Sequence, residues 1–232
     1  MKSKNNWLDI AVIALVIANI FPLWAVVFLG WDAFAIVLLY WAENIVIGFY
    51  NILRIALARV PHPTAHLAKL FMIPFFMVHY GGFMAVHGVF VLLFFSRTEP
   101  SFPGPHGQAW PCFFVFLQLL VGVIGQAWSV LPPNAKPILL TLFASHGVSF
   151  VHNFLIKGEY AKVNPRRLMA RPYSRIAVMH IAIIAGGFLT MAMGSPMPVL
   201  VALVVLKTIL DVKLHMREHR DKAKHENQSE KS

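Results

Sequence analysis

Seven apolar stretches, each long enough to cross a bilayer as a helix of about 20 residues, partition the chain at 8–29, 33–57, 68–95, 111–131, 138–157, 175–193 and 197–215. Unbroken runs of this kind predict helices. A membrane barrel would show short segments of alternating polarity, and backbone groups in lipid must be bonded within helices or closed sheets. The predicted fold class is all-α: a polytopic transmembrane bundle of about seven spans. Six spans plus a re-entrant segment is the alternative, because the last two stretches are short and closely joined through Gly194-Ser195-Pro196. The bundle is expected over residues 1–215, and 216–232 reads as a charged cytoplasmic tail, partly disordered in composition. The first run follows Lys2 and Lys4, as a signal peptide would. It nevertheless extends for 8–29 without a clear small-x-small cleavage site, so a retained span is expected. Pro74 and Gly81-Gly82 predict a loosened third span, and Trp110 and Trp128 bracket the fourth as interfacial anchors.

The polar positions that interrupt these runs are the informative ones. Glu43 lies within AFAIVLLYWAENIVIGFYNIL, and His79 and His87 within LFMIPFFMVHYGGFMAVHGVFVLLFF. His146 and His152 fall in LLTLFASHGVSFVHNFLI, His180 in RIAVMHIAIIAGGF, and Asp211 and His215 in VLKTILDVKLH. A charged group at the bilayer centre costs about 2.5–3.5 kcal/mol on insertion scales, so such residues face the bundle interior and mark function by default. Helical spacing groups them further. Tyr40, Glu43, Asn44, Gly48, Asn51 and Arg54 form a stripe along the second span. His146, Ser149 and Asn153 share a face of the fifth, with His152 beside them. Lys207, Asp211 and His215 stack on the seventh, and Tyr80 and His87 lie together on the third.

Composition agrees with this picture. Of 232 residues, 58% are hydrophobic and 13% charged, with mean hydropathy +0.65. The formal charge of +10 does not point to nucleic acid, because the bases sit in connections and the tail, where they set topology and meet anionic lipid headgroups. The single Cys112 excludes an intrachain disulfide and a multi-cysteine metal site. Lys157, Lys162, Arg166, Arg167, Arg171 and Arg175 fill the fifth connection, and the tail carries a second basic set. The positive-inside rule makes both cytoplasmic, with the C-terminus inside. Arg59 and Lys69 in the second connection conflict with that assignment if seven spans strictly alternate. Strict alternation also makes depth comparable between spans. It places Glu43, His87, His152, His180, Asp211 and His215 in the membrane half nearer the C-terminus, with His146 central and His79 slightly beyond.

The segments YWAENIVIGFYNILR, HYGGFMAVHGVF, SHGVSFVHNFLIKGEY, RPYSRIAVMHIAIIAGGF and GSPMPVLVALVVLKTILDVKLHMREH resemble an uncharacterised bacterial membrane family, domain of unknown function 6498. The resemblance covers roughly residues 15–220. It implies a bacterial integral membrane protein and brings no activity, substrate or cofactor with it. The family's characteristic positions stand here as Glu43, Asn44, His79, His87, His146, Asn153, His180, Lys207, Asp211 and His215. His152 is the weakest member of the set.

Three functions fit these residues. A transition-metal site would use His87, His146, His180 and Glu43, with Asp211 as a ligand or partner, since imidazole with carboxylate suits zinc, iron or copper. His79, Asn44, Asn153, Lys207, His215 and His152 would support it, and a b-type haem held by two facing histidines such as His87 and His180 is the lesser cofactor reading. A proton-coupled transporter or proton relay would use the same Glu, His and Asp groups, although no internal repeat of the kind many transporters carry is evident. A structural or accessory protein would carry them as satisfied core groups. The tail motif His215-Met216-Arg217-Glu218-His219 matches the inverted zinc-protease pattern H-x-x-E-H, but in a tail rich in these residue types chance explains it. No catalytic role, substrate or oligomeric state follows from the sequence.

Overall fold

A computed structural model of the protein describes residues 20–60, 63–95, 108–195, 197–209, 212–213 and 216. Asp211, His215, the H-x-x-E-H motif and nearly all of the charged tail lie outside the described residues. Within them every regular element is helical. We number the helices α1 (Ile20–Leu29), α2 (Ala33–Leu57), α3 (Pro63–Phe95), α4 (Val115–Val130, preceded by a tight turn at Cys112–Phe114), α5 (Lys136–Ser149), α6 (Pro165–Ala170), α7 (Tyr173–Met193) and α8 (Met197–Ile209). Five helical stretches are long and apolar enough to cross a membrane: Ala33–Leu57, His66–Phe95, Cys112–Val130, Lys136–Ile156 and Pro165–Met193. The described parts of α1 and α8 are shorter apolar helices. The all-helical bundle is thus as expected, and the second span matches its predicted limits.

Local chemistry explains the ends. Asp32 caps α2, its carboxylate accepting from the Phe34 amide at 3.0 Å, which satisfies one of the amides a helix start leaves free. At the other end Lys69 donates to the carbonyls of Ala56, at 3.0 Å, and Ala58, placing a cation where the α2 dipole is negative. Gly194 closes α7 with φ 67, a left-handed conformation that favours glycine. Pro74 lies inside α3 without ending it. The fifth span changes its winding midway: α5 passes at Phe150–Ile156 into a wider π-helical turn, a form that often marks functional segments.

The directions of the helices depart from simple alternation. α2 and α3 run antiparallel, with Trp41 Nε1 donating to the Met84 carbonyl at 2.8 Å and Gly48 against Tyr80. α3 and α4, however, run parallel: Gly82 faces Phe116 and Gly88 faces Val123. α7 is parallel to α3 as well, pairing Tyr173 with His79, His180 with His87 and Gly187 with Phe94. α5 follows α2, with Phe143 at Phe49 and Phe154 at Arg54. α8 returns antiparallel to α7, from Val199 at Gly186 to Lys207 near Arg175 across Glu43. The depth comparison that assumed strict alternation is therefore corrected. His87 and His180 do share a level, because they touch, but His152 lies toward the opposite end of the bundle. The same directions remove the charge conflict. The second and fifth connections meet at one end, where the Arg59 amide donates to the Tyr160 carbonyl at 2.7 Å.

The core sits where α2, α3 and α7 cross. Trp41, Phe76 and Ile183 are buried there, and Phe154 is buried near Arg54 and Tyr160 toward the end of the fifth span. Gly88 permits the closest approach. A Cβ on it would lie 2.4 Å from the Trp41 ring and 2.5 Å from Val123, so only a hydrogen side chain lets α2, α3 and α4 meet at that point.

Candidate functional site

Two polar centres form within the bundle, one on each side of α7. The first gathers around Glu43 on α2. Lys207 of α8 donates to its carboxylate at 2.9 Å, and Arg175 of α7 lies 3.9 Å away. The Lys207 ammonium also sits 4.4 Å from the Tyr40 ring centre, a cation–π contact favoured out of water. One turn along the stripe, Asn44 donates from Nδ2 to the Tyr40 carbonyl at 2.8 Å and toward Met179 Sδ at 3.7 Å. Its Oδ1 is buried and finds no donor among the described residues. Between these groups lies a cavity of about 30 Å3, lined by Tyr40, Glu43, Asn44, Arg175, Met179 and Lys207 among others.

The stripe read from the second span is thus real and inward. Below Glu43 it continues through Gly48, which accepts the Tyr80 ring, and Asn51, which donates to the Leu168 carbonyl of α6 at 3.0 Å. Tyr80 donates its hydroxyl to the Asn44 carbonyl at 2.8 Å. These bonds fix three helices around one face of α2.

The second centre pairs His87 of α3 with His180 of α7. His87 Nδ1 lies 2.6 Å from the Phe83 carbonyl, and its Nε2 lies 2.9 Å from His180 Nδ1. A carbonyl only accepts, so His87 carries its proton on Nδ1. In the neutral pair its Nε2 then accepts from the His180 Nδ1–H, which leaves His180 Nε2 as a bare acceptor. His87 is buried at 2% exposure while His180 is exposed. Two turns earlier, His79 Nδ1 and the Tyr173 hydroxyl are hydrogen-bonded at 2.7 Å. His79, His87 and His180 all line a groove of about 720 Å3 between α3 and the start of α4.

The remaining expected residues fall elsewhere. His146 on α5 is half-buried and stacks against Tyr50 at 6.4 Å. Asn153 donates to Ser149 Oγ at 3.2 Å and accepts from Lys157 at 3.3 Å, so that face of the fifth span is linked internally. His152 is exposed. The five proposed metal ligands therefore separate into His87 with His180, Glu43 with two cations, His146 beside Tyr50, and Asp211 outside the described residues. Among the described residues no three His, Cys, Asp or Glu side chains come together in a way that would hold a metal ion.

Arg175 and Tyr173 were missed by the sequence reading, which counted Arg175 only as a loop cation. The signal was present. Tyr173 lies seven residues before His180, hence on its face, and Arg175 falls within the first turn of the predicted span, inside the membrane segment.

A bundle with five apolar helices of spanning length, carrying Glu43 and His87 turned inward, is a multi-pass membrane protein. The chain belongs to the family of unknown function DUF6498, whose model matches residues 1–228. No curated protein and no solved structure matches it.

Proposed function

We propose that this protein relays protons within a bacterial inner membrane, through a hydrated charge centre at Glu43, as part of a proton-coupled transport cycle. The observation that carries the reading is the cavity at Glu43. Its volume of about 30 Å3 is room for one or two waters, and Glu43, Lys207 and Arg175 all line it. A packing role alone calls for these polar groups to satisfy each other, without a wet pocket beside a carboxylate. Glu43 also ties α2 to both α7 and α8. When a proton relayed in from outside through the cavity water, which stays neutral, attaches to its carboxylate, the negative charge that holds Lys207 and Arg175 is removed, and three helices lose their common tie. Proton arrival is thereby converted into helix movement, the coupling that a transporter needs. The bundle end bearing Arg59, Lys157, Lys162, Arg166 and Arg167 faces the cytoplasm by the positive-inside rule. Because α8 runs toward that end, the C-terminus is cytoplasmic too.

The test is proton flux in proteoliposomes holding a pH-sensitive dye under a potassium diffusion potential. Wild type dissipates an acid pulse faster than empty vesicles, and Glu43→Gln slows it toward the empty rate. Wild-type traces equal to those of empty vesicles, or a Glu43→Gln variant that conducts as wild type does, would sink the reading.

One observation favours a metal as the second reading. Two imidazole nitrogens bound to one tetrahedral zinc stand about 3.3 Å apart, given metal–nitrogen lengths of roughly 2.0–2.1 Å, and those of His87 and His180 already converge to 2.9 Å. A small ring rotation exchanges their hydrogen bond for a shared zinc, iron or copper ion. Metal analysis of detergent-purified protein decides this: a bound ion lost in both His87→Ala and His180→Ala supports it, and protein that is metal-free and takes up none on incubation excludes it.

A further inference from the structure

The groove on the other side of α7 has features that neither reading uses. Its long wall is a ladder of rings at four-residue spacing on α3. Phe71 stacks on Phe75 with ring centres 5.8 Å apart, and Phe75 on His79 at 5.1 Å. Phe83 meets His79 edge-on at 5.1 Å and leads to His87 at 6.4 Å. The facing wall comes from Phe113, Phe114 and Phe116 at the start of α4, with exposed Cys112 on the rim. Within this aromatic lining, the His180 imidazole presents the acceptor nitrogen that its bond to His87 leaves free. An acceptor on the wall of an apolar groove between membrane-spanning helices favours a ligand that brings its own donor.

We propose that this groove binds a phenolic amphiphile dissolved in the bilayer, one with an aromatic ring bearing a hydroxyl at one end and an apolar chain at the other. The hydroxyl donates to His180 Nε2, the ring packs against the Phe75–Phe83 ladder in the offset or edge-on manner that aromatic rings prefer, and the chain lies along the open side toward lipid. The volume suits such a ligand, since small-molecule sites run from roughly 300 to 1,000 Å3. A plain acyl chain would leave the nitrogen unpaired. A metal on His180 would compete for the same lone pair. The proposal is independent of the Glu43 centre, because Arg175 and Met179 face that cavity from one side of α7 while Tyr173 and His180 occupy another.

Cys112 is the sole cysteine of the chain, so the unmodified protein carries its own reporter at the groove. The experiment measures the rate of Cys112 alkylation by a maleimide in nanodiscs containing a chelator, with para-nonylphenol, its methyl ether or dodecanol added. Nonylphenol is expected to slow alkylation saturably, at a lower membrane concentration than dodecanol, which has a hydroxyl but no ring to pack on the ladder, and about tenfold lower than its methyl ether, the worth of one hydrogen bond. His180→Phe should abolish that difference while keeping the thermal transition of the fold. Equal protection by nonylphenol and its methyl ether in wild type means occupancy by any apolar chain and overturns the proposal. Equal protection by dodecanol overturns the aromatic part of it, and no protection by any compound overturns it entirely. The comparison among compounds needs no variant, so misfolding of His180→Phe cannot mask the result, and the chelator separates it from metal binding.

Discussion

At Glu43 one carboxylate serves two cations from different helices, and this sets what removal of each partner does. Lys207 is bonded at 2.9 Å and only 23% of its side chain is exposed. Removing one member of a buried pair leaves the other charge uncompensated, a loss of about 3–5 kcal/mol, whereas removing both is far milder. Lys207→Met is therefore expected to lower stability in detergent by a few kcal/mol, with part of the loss relieved by Arg175, which stays within 3.9 Å of the carboxylate. The double variant Glu43→Gln/Lys207→Met should recover most of the loss. Thermal unfolding of the two single variants and the double variant forms a cycle, and strictly additive losses would show that the two side chains do not interact. The Asn44 neighbour adds a second check at this scale. Asn44→Leu deletes the orphaned Oδ1 and fills the cavity, so it should leave stability within about 1 kcal/mol while suppressing proton flux as Glu43→Gln does.

Among the helices, close approach is set at single glycines, and these separate by what surrounds them. A methyl at Gly88 meets Trp41 and Val123 within 2.5 Å, and one at Gly186 meets the Val199 backbone at 2.4 Å, while Gly125 has open space. Gly88→Ala and Gly186→Ala should each cost about 1–3 kcal/mol by overpacking. Gly125→Ala should be neutral or stabilise by up to about 1 kcal/mol through helix propensity; melting temperatures in one detergent give the order, and a Gly88→Ala protein as stable as Gly125→Ala would contradict the packing described. Much at this scale was legible in the sequence. Hydropathy located α2 and most limits of α3, α4, α5 and α7, because burial in lipid imposes unbroken apolar length. The three- and four-residue spacing of Tyr40, Glu43, Asn44 and Asn51 revealed their common face. The π-helical turn at Phe150–Ile156 was not legible, since it changes hydrogen-bond register and not polarity. The short α6 was announced by Asn164-Pro165, an N-cap followed by proline at the first helical position, a signal present in the basic connection but overlooked among its charges. Nor did periodicity on single helices reveal that His87 meets His180 while His146 faces Tyr50. Each histidine's own face was readable, but its partner depends on which helix arrives opposite and in which direction.

Direction is a property of the whole molecule, and strict alternation was the wrong premise for supplying it. The parallel run of α3 and α4 shifts every later helix by one reversal, so that α5 follows α2 and α7 follows α3. The basic residues then stop conflicting. Arg59 and the Lys157–Arg171 stretch gather at one end, joined by the Arg59–Tyr160 backbone bond, which is the distribution the positive-inside rule selects. The two topologies differ in a measurable way. Under alternation Trp31, between the first two spans, and Asn134, between the fourth and fifth, lie on opposite faces of the membrane. In the structure both lie at the end where α2 and α5 begin, as does Ser195 before α8, while Arg59 and Lys162 lie at the other end. In a Cys112→Ser background, single cysteines at these five positions can be challenged with a membrane-impermeant thiol reagent in right-side-out and inverted vesicles. Trp31→Cys, Asn134→Cys and Ser195→Cys should react together from the periplasmic side, and Arg59→Cys and Lys162→Cys from the cytoplasmic side. Labelling of Trp31→Cys and Asn134→Cys from opposite sides would restore alternation and remove the parallel pairing of α3 with α4, in which Gly82 meets Phe116 and Gly88 meets Val123. The groove between α3 and the start of α4 therefore depends on this one reversal of direction, whereas the Glu43–Lys207 tie can be tested independently through its own double-variant cycle.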